Sequence, residues 1–256
     1  LARLPDNHEW ILKGGFALQL RYGLEARPTR DIDLRTPLDL TAALNSLRQV
    51  IAASPTTDHF SFELSEVVQE LQGAPGGSLR VRVMAQLAGL PIATFHLDLS
   101  SGDALVEPPD VLHGSDLLLF AGLTPVAFPA YPVTQHLAEK LHAYTLPRNQ
   151  ENTRVRDLVD LVIIAATERV DAVSLARSVE ATFEVRASHP IPGRLPVPPD
   201  SWAQPFARIA AEVGSLPARS LTEGFAFAAA FWDPFLANRS SRQSWLPEQR
   251  CWIAGW

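Results

Sequence analysis

A mixed α/β fold (α+β in arrangement), with a sheet-containing core followed by a C-terminal helical domain, is predicted by three features of the sequence. Early in the chain a short apolar run, a glycine turn, an amphipathic stretch and a second apolar run follow one another. Residues 60–100 then carry period-two patterning, and beyond residue 134 apolar positions recur only at helical spacing. The boundaries that follow are a core at 1–132, a helical domain at 133–237 and a tail at 238–256.

The core opens on Trp10-Ile11-Leu12, read as a short strand that runs into Gly14-Gly15 and then a helix over 16–22. After a turn, Asp31-Ile32-Asp33-Leu34 reads as the next strand. Thr36-Pro37 opens a helix to about residue 53, because Leu38, Leu40, Ala43, Leu44, Leu47 and Ile51 recur at helical spacing. Proline is accepted in a first turn, where its missing N–H would have no intrahelical partner. Residues 60–64, 78–88 and 92–100 alternate as strands and are joined by Ala74-Pro75-Gly76-Gly77 and Gly89-Leu90-Pro91.

A proline-interrupted stretch from 108 to 132 separates these strands from helices expected over 134–145, 155–167, 171–184, 202–213 and 220–236. Residues 189–205 carry six prolines and read as a rigid extended surface segment. From 238 onward there is no periodicity, and Trp245, Trp252 and Trp256 look exposed, so a tail without regular structure is expected. No internal repeat is visible.

Composition narrows the function classes. The chain has 256 residues, 46% hydrophobic and 20% charged, which describes a folded rather than a disordered protein. The longest apolar runs, such as 158–166, fall far short of the roughly 20 residues a membrane span needs, and no basic segment precedes an apolar one as in a secretion signal. Neither a membrane nor a secreted protein is expected. A single cysteine, Cys251, excludes an internal disulfide and a Cys-based metal site, and fits a reducing cytoplasm. A net charge of −6 argues against sequence-blind coating of nucleic acid while leaving room for a local basic groove. Of 22 basic residues only Lys13 and Lys140 are lysines, which singles them out as positions where a compact ammonium is wanted.

The chemistry-bearing residues begin with Asp31 and Asp33. Two residues apart on a strand, they project to one face while Ile32 and Leu34 face the core. Two such carboxylates repel unless a cation lies between them, and their hard oxygens suit Mg²⁺, with Mn²⁺ as an alternative. A solvated strand end bearing two surface acids is the simpler alternative. Lys13-Gly14-Gly15 stands between a strand and a helix, where backbone N–H groups can cradle a phosphate, although glycine pairs also serve turn geometry alone. In 92–100 the alternation puts Thr94, His96, Asp98 and Ser100 on one face, so Asp98 is either a third metal ligand or a strand-end acid facing water. His96 has no His or Cys companion at metal-ligand spacing and is expected to be satisfied or exposed.

The segments Leu12-Lys13-Gly14-Gly15-Phe16-Ala17-Leu18 and Arg27-Pro28-Thr29-Arg30-Asp31-Ile32-Asp33-Leu34 resemble the signature of the AbiEii/AbiGii, or MenT-like, toxin nucleotidyltransferases, of the DNA polymerase β-type superfamily. Ala138-Glu139-Lys140-Leu141-His142-Ala143 resembles that family's Glu-Lys helix, and Arg156-Asp157-Leu158-Val159-Asp160-Leu161 its Arg-x-x-x-Asp-Leu helix. The likeness covers about residues 10–237 and not the tail. The position of Thr29 is often Ser in the family; a hydroxyl survives, and in some relatives it is a place of silencing by phosphorylation. The spacer from Gly15 to Asp31 is long for the superfamily and usual for this branch.

What the resemblance implies is a nucleotidyltransferase-type core with the active site in the cleft between the two halves. Asp31 and Asp33, with Asp98, would hold Mg²⁺; Lys13, Gly14, Gly15, Thr29 and Arg27 would hold or frame the NTP; and Lys140 and Asp160 would complete the catalytic set. The resemblance further implies a toxin of a toxin–antitoxin system with a cognate antitoxin, acting on the 3′ end of tRNA. Read from the residues alone, Asp160 lies in a run too apolar for a casual surface acid, and an ion pair among Asp160, Asp157, Arg156 and Lys140 that only joins two helices remains open beside the catalytic reading. Arg27 and Arg30 either reach triphosphate or RNA backbone, or offset the acids. RNA binding by an acidic chain would need basic residues such as Arg80, Arg82, Arg148, Arg154 and Arg156 to gather. Two further functions stay open: transfer of nucleotide or phosphate to a protein hydroxyl, and a non-catalytic nucleotide- or antitoxin-binding module.

Overall fold

Seven short and long strands join in one mixed sheet: β1 (Ile11–Lys13), β2 (Asp31–Thr36), β3 (Phe60–Leu71), β4 (Ser78–Leu87), β5 (Leu90–Ser101), β6 (Asp110–His113) and β7 (Ala127–Ala130), in the order β3-β4-β5-β2-β1-β7-β6. The computed structural model describes residues 4, 9–53, 59–71, 74–122, 124–148 and 154–254. The chain divides into two units, the first made of residues 1–21, 28–103 and 109–131, the second of 22–27, 104–108 and 132–256.

In the first unit β2 pairs in parallel with β5, and β1 in parallel with β7, while the remaining neighbours are antiparallel. Period-two alternation does what the sequence predicts: Leu34 of β2, Leu97 and Leu99 of β5 and Val83 of β4 share one buried cluster with Leu12, Ala43 and Leu47. Each of the Leu and Val side chains contributes about 1.5–3 kcal/mol on burial. The opposite face is left for polar side chains. The first helix, α1, spans Gly14–Tyr22 and so begins at the glycines themselves. The second, α2, spans Leu40–Ala53, starting later than Thr36-Pro37 because Asp39 caps it: Oδ1 accepts from the N–H groups of Thr41 and Ala42 at 2.9 and 3.3 Å. β6 and β7 fall in the proline-interrupted stretch, for which the sequence predicts no element. They are four-residue strands, and Pro129 occupies a β7 position opposite Val111.

The second unit contains α3 (Val133–Thr145), α4 (Val155–Thr167), β8 (Val170–Asp171), α5 (Ala172–Arg186), α6 (Ala203–Glu212), α7 (Leu221–Ala237), β9 (Gln243–Leu246) and β10 (Cys251–Ala254). Helix α4 is buried almost all round, from Asp157 to Ala165, which is what its apolar run requires. Asp171 caps α5, its side chain accepting from the Ser174 N–H, and Ser220 with Glu223 forms a capping box on α7. Gly224 of α7 lies against the Phe206 ring, where a Cβ would come within 2.2 Å of Cζ.

The tail corrects the expectation of irregular chain. β9 and β10 form a hairpin that joins β8 in a three-stranded sheet. Trp245 is fully buried and donates its indole N–H to the Ala165 carbonyl at 2.6 Å, and Trp252 donates to the Phe231 carbonyl at 2.7 Å. The tryptophans therefore anchor the segment; Trp256 lies outside the described residues. The proline-rich segment is likewise partly packed, with Leu195 buried, its N–H donating to Asp233 at 2.8 Å, and the Tyr144 hydroxyl donating to the Pro196 carbonyl at 2.7 Å. Among the described residues no helix is long and apolar enough to cross a membrane.

Candidate active site

Sheet register assembles the acidic face of the first unit. Asp31 stands beside His96 and Asp33 beside Asp98 across the parallel β2–β5 pair, and side-by-side residues share a face. On the next strand Arg80 faces Asp98 and Arg82 faces His96. On the other side Lys13 faces Asp33 across β1–β2. One polar surface therefore carries Asp31, Asp33 and Asp98, as the alternation predicts, together with Arg80 and His96, which no motif singles out.

Gly14 explains how Asp33 is placed. Its φ of +67° belongs to the left-handed region that glycine tolerates, and a Cβ there would lie 1.9 Å from Asp33 Oδ2. The carboxylate thus occupies the room that the missing side chain leaves, at the first residue of α1. Asp31 is half-buried, with Oδ1 3.3 Å from His96 Nδ1 and Oδ2 3.8 Å from Arg80 Nη2. Thr29 Oγ1 accepts from the Asp31 backbone N–H at 3.4 Å, which ties the hydroxyl to the start of β2. Asp98 is engaged by both teeth of one guanidinium: Arg80 Nε donates to Oδ1 at 2.7 Å and Nη2 to Oδ2 at 2.6 Å. Those hydrogen bonds, outweighing burial and joined by the charges of Asp98, Asp31 and Asp33, hold the Arg80 pKa above its ordinary value.

Lys13 takes a different place from the one expected. Its ammonium is buried and donates to Asp103 at 2.5 Å, and Asp103 also accepts from the Ser100 hydroxyl at 2.8 Å. Lys13 further lies 5.6 Å from the centre of the Tyr131 ring. It frames the turn into α1 from within the unit, beside Gly14 and the buried Gly15.

In the second unit the Glu-Lys and Asp-Leu helices meet through charge. Lys140 of α3 donates to Asp160 of α4 at 2.5 Å and to Asp157 at 3.3 Å. Arg27 closes the cluster, with Nε 2.9 Å from Asp160 Oδ1 and Nη2 donating to Oδ2 at 2.9 Å. Arg154 reaches Asp157 at 3.6 Å, while Arg156, the partner the sequence suggests, is exposed. The helix-joining ion pair is therefore real, and it is a forked arginine from residue 27 that completes it. Burial disfavours both charges, but for Lys140 the carboxylates of Asp160 and Asp157 prevail and raise its pKa. For Asp160 burial is likewise outweighed by Lys140 and Arg27, which lower its pKa. Arg27 and Lys140 are thus not loose on a surface. Arg148 has a lowered pKa from burial and from Arg154, so it belongs to this second-unit basic group.

A divalent ion fits the donor set at β2. Mg²⁺ is usually held by one or two carboxylates plus water and substrate phosphates, and Asp31 with Asp33 supplies two hard-oxygen groups on one strand face. Among the described residues no three His, Cys, Asp or Glu side chains converge as a metal cluster. Asp98 stands beside the pair in register with its oxygens turned to Arg80.

A glycine turn opening a helix beside an Asp-x-Asp strand of a mixed sheet is the arrangement that the resemblance to nucleotidyltransferases implies. The chain belongs to the AbiEii family, described as nucleotidyl transferase AbiEii toxin of a type IV toxin–antitoxin system, whose profile matches residues 1–231. It is accordingly a toxin nucleotidyltransferase with a nucleoside triphosphate as substrate and an antitoxin as counterpart. Among solved structures it is similar to MenT4, a nucleotidyltransferase toxin from Mycobacterium tuberculosis, at 21% identity and a TM-score of 0.53, over 87% of this chain and 80% of that one. JHP933 from Helicobacter pylori matches at 19% identity and a TM-score of 0.46, over 84% of this chain and 83% of that one. At 21% identity the likeness to MenT4 concerns the fold. Comparison with curated proteins returns no significant match.

Proposed function

We propose that this toxin transfers a nucleotidyl group from an NTP to the hydroxyl at the 3′ end of tRNA, releasing pyrophosphate and blocking aminoacylation and hence translation in the cytoplasm. The acceptor oxygen forms a bond to the α-phosphorus, the bond from that phosphorus to the bridging oxygen breaks, pyrophosphate leaves with the electron pair, and the hydroxyl proton passes to water. The observation that carries the reading is the placement of Asp31 and Asp33 on one face of β2, with the Asp33 carboxylate lodged over Gly14 at the start of α1.

Asp31 and Asp33 would hold Mg²⁺, which supplies Lewis acidity at the triphosphate and lowers the pKa of the attacking hydroxyl. Gly14 and Gly15 present backbone at a helix N-terminus, where N–H groups favour phosphate oxygens. Lys13, bound to Asp103, fixes the strand that delivers those glycines. Thr29 and Arg27 flank the segment that leads into Asp31, and Asp98 is the third acid of the set. Lys140 and Asp160 enter the proposal through their motifs. Asp160, with Arg27, keeps the Lys140 ammonium in place and charged, and that charge would stabilise a phosphate in the transition state.

Incubating a cell lysate with each α-³²P-labelled NTP and the toxin, then separating RNA from protein, identifies the acceptor class. Label in the tRNA fraction, released by digestion of the 3′ terminus, is the expected result; label confined to protein contradicts it and supports transfer to a protein hydroxyl.

A further inference from the structure

Arg80 belongs to no motif, yet register puts it opposite Asp98, which stands beside Asp33. Its side chain is 28% exposed and reaches from Asp98, at 2.6 and 2.7 Å, to within 3.8 Å of Asp31. One guanidinium thus spans two of the three acids on the face proposed to bind metal. A guanidinium does not lose its proton, so this positive charge persists at any working pH.

We propose that Arg80 is a resident counter-cation that yields to substrate: it neutralises Asp31 and Asp98 before nucleotide arrives, opposes a divalent ion entering alone, and then transfers its fork to the triphosphate. This inference rests on the reading of Asp31 and Asp33 as the metal pair. The physical basis is exchange of like for like. A carboxylate and a phosphate both present two oxygens that match the guanidinium fork, so moving from Asp98 to phosphate conserves two charge-assisted hydrogen bonds. A divalent ion arriving without nucleotide offers no such replacement and meets the guanidinium charge at close range. Arg80 therefore couples metal entry to nucleotide entry through its own differential contacts, and such coupling is reciprocal. It also makes Arg80 a substrate-binding residue, with a ligand class of triphosphate oxygens.

Two opposite effects test it on the full chain. Mn²⁺ binding is followed by electron paramagnetic resonance without nucleotide, and binding of an NTP analogue with a methylene between the α- and β-phosphorus is followed by calorimetry in EDTA. In Arg80→Gln, Mn²⁺ affinity is expected to rise roughly tenfold or more as the opposing charge goes, while metal-free analogue affinity falls by about tenfold as the fork is lost. Arg80→Lys, which retains a cation, should keep Mn²⁺ affinity within about threefold of wild type. A merely structural role would weaken both ligands together, and that outcome, or unchanged Mn²⁺ affinity in a variant that melts cooperatively, overturns the inference. Arg80→Met serves the same comparison if the glutamine variant fails to fold. Asp31→Asn separates the two levels of the argument. If it abolishes Mn²⁺ binding while Arg80→Gln changes nothing, the Arg80 inference alone falls; if it leaves Mn²⁺ binding intact, the metal-pair reading falls and takes the inference with it.

Discussion

The carboxylate of Asp33 occupies the volume that a side chain on Gly14 would need, with Oδ2 1.9 Å from the position of a Cβ. Because Gly14 also has a φ of +67°, alanine there is penalised twice, by backbone strain and by collision with a proposed metal ligand. Gly14→Ala is expected to lower nucleotidyl transfer by at least about 100-fold, as a displacement of roughly 1 Å at a reacting centre does. A circular dichroism spectrum close to wild type would show that the unit still folds. Retention of more than half the wild-type rate would contradict the placement.

The buried ion cluster of the second unit carries a pH dependence whose sign is fixed by its shifts. Asp160 has a lowered pKa, so its contribution is present above the unfolded value of about 3.9 and is lost as pH falls through the lower folded value. Lys140 has a raised pKa, so its contribution is present below about 10.4 and is lost as pH rises through the higher folded value. Urea unfolding between pH 7 and pH 2 should show wild type losing more stability than the Lys140→Met/Asp160→Leu double variant. Parallel curves would mean that the pair carries no such linkage.

Removing one partner of that cluster should cost more than removing two. Asp160→Ala leaves Lys140 and Arg27 facing each other in a buried site and is expected to destabilise by about 3–5 kcal/mol. The apolar double variant should recover part of that loss. Chemical denaturation of the three proteins measures it, and a double variant no more stable than Asp160→Ala would be the opposing result.

Trp245 is expected to be a structural anchor rather than a surface ornament. Trp245→Ala removes a fully buried indole and leaves the Ala165 carbonyl without its 2.6 Å donor, at a cost of about 3–5 kcal/mol. The loss should appear as a lowered urea midpoint. A change below about 1 kcal/mol, the range of surface substitutions, would contradict the packing.

Much of the architecture is visible in residue order because the physical signals are local. The alternation of Asp31-Ile32-Asp33-Leu34 announces both a strand and the face its acids share, and the apolar spacing of 155–167 gives α4 its observed bounds. What escaped lies in pairings made across the chain. Arg80 joins the acidic face through register with β5, which no spacing along one segment reveals, and His96, which alternation alone puts on the Asp98 face, meets Asp31 only through the β2–β5 pairing. Lys13 and Arg27 each look like phosphate ligands by residue type, yet Asp103 and Asp160, distant in sequence, claim them. β6, β7, β9 and β10 are four residues long, too short for alternation to register, and Pro129 or the polar neighbours of Trp245 mask them further.

The most direct test of the account is transfer of label from α-³²P NTPs to purified total tRNA with Mg²⁺, comparing wild type with Asp33→Asn. The account predicts label on tRNA with wild type and its loss, by at least about 1,000-fold, when the carboxylate that sits over Gly14 becomes an amide. Equal labelling by the two proteins would contradict the assignment of the catalytic centre to the Asp31–Asp33 face.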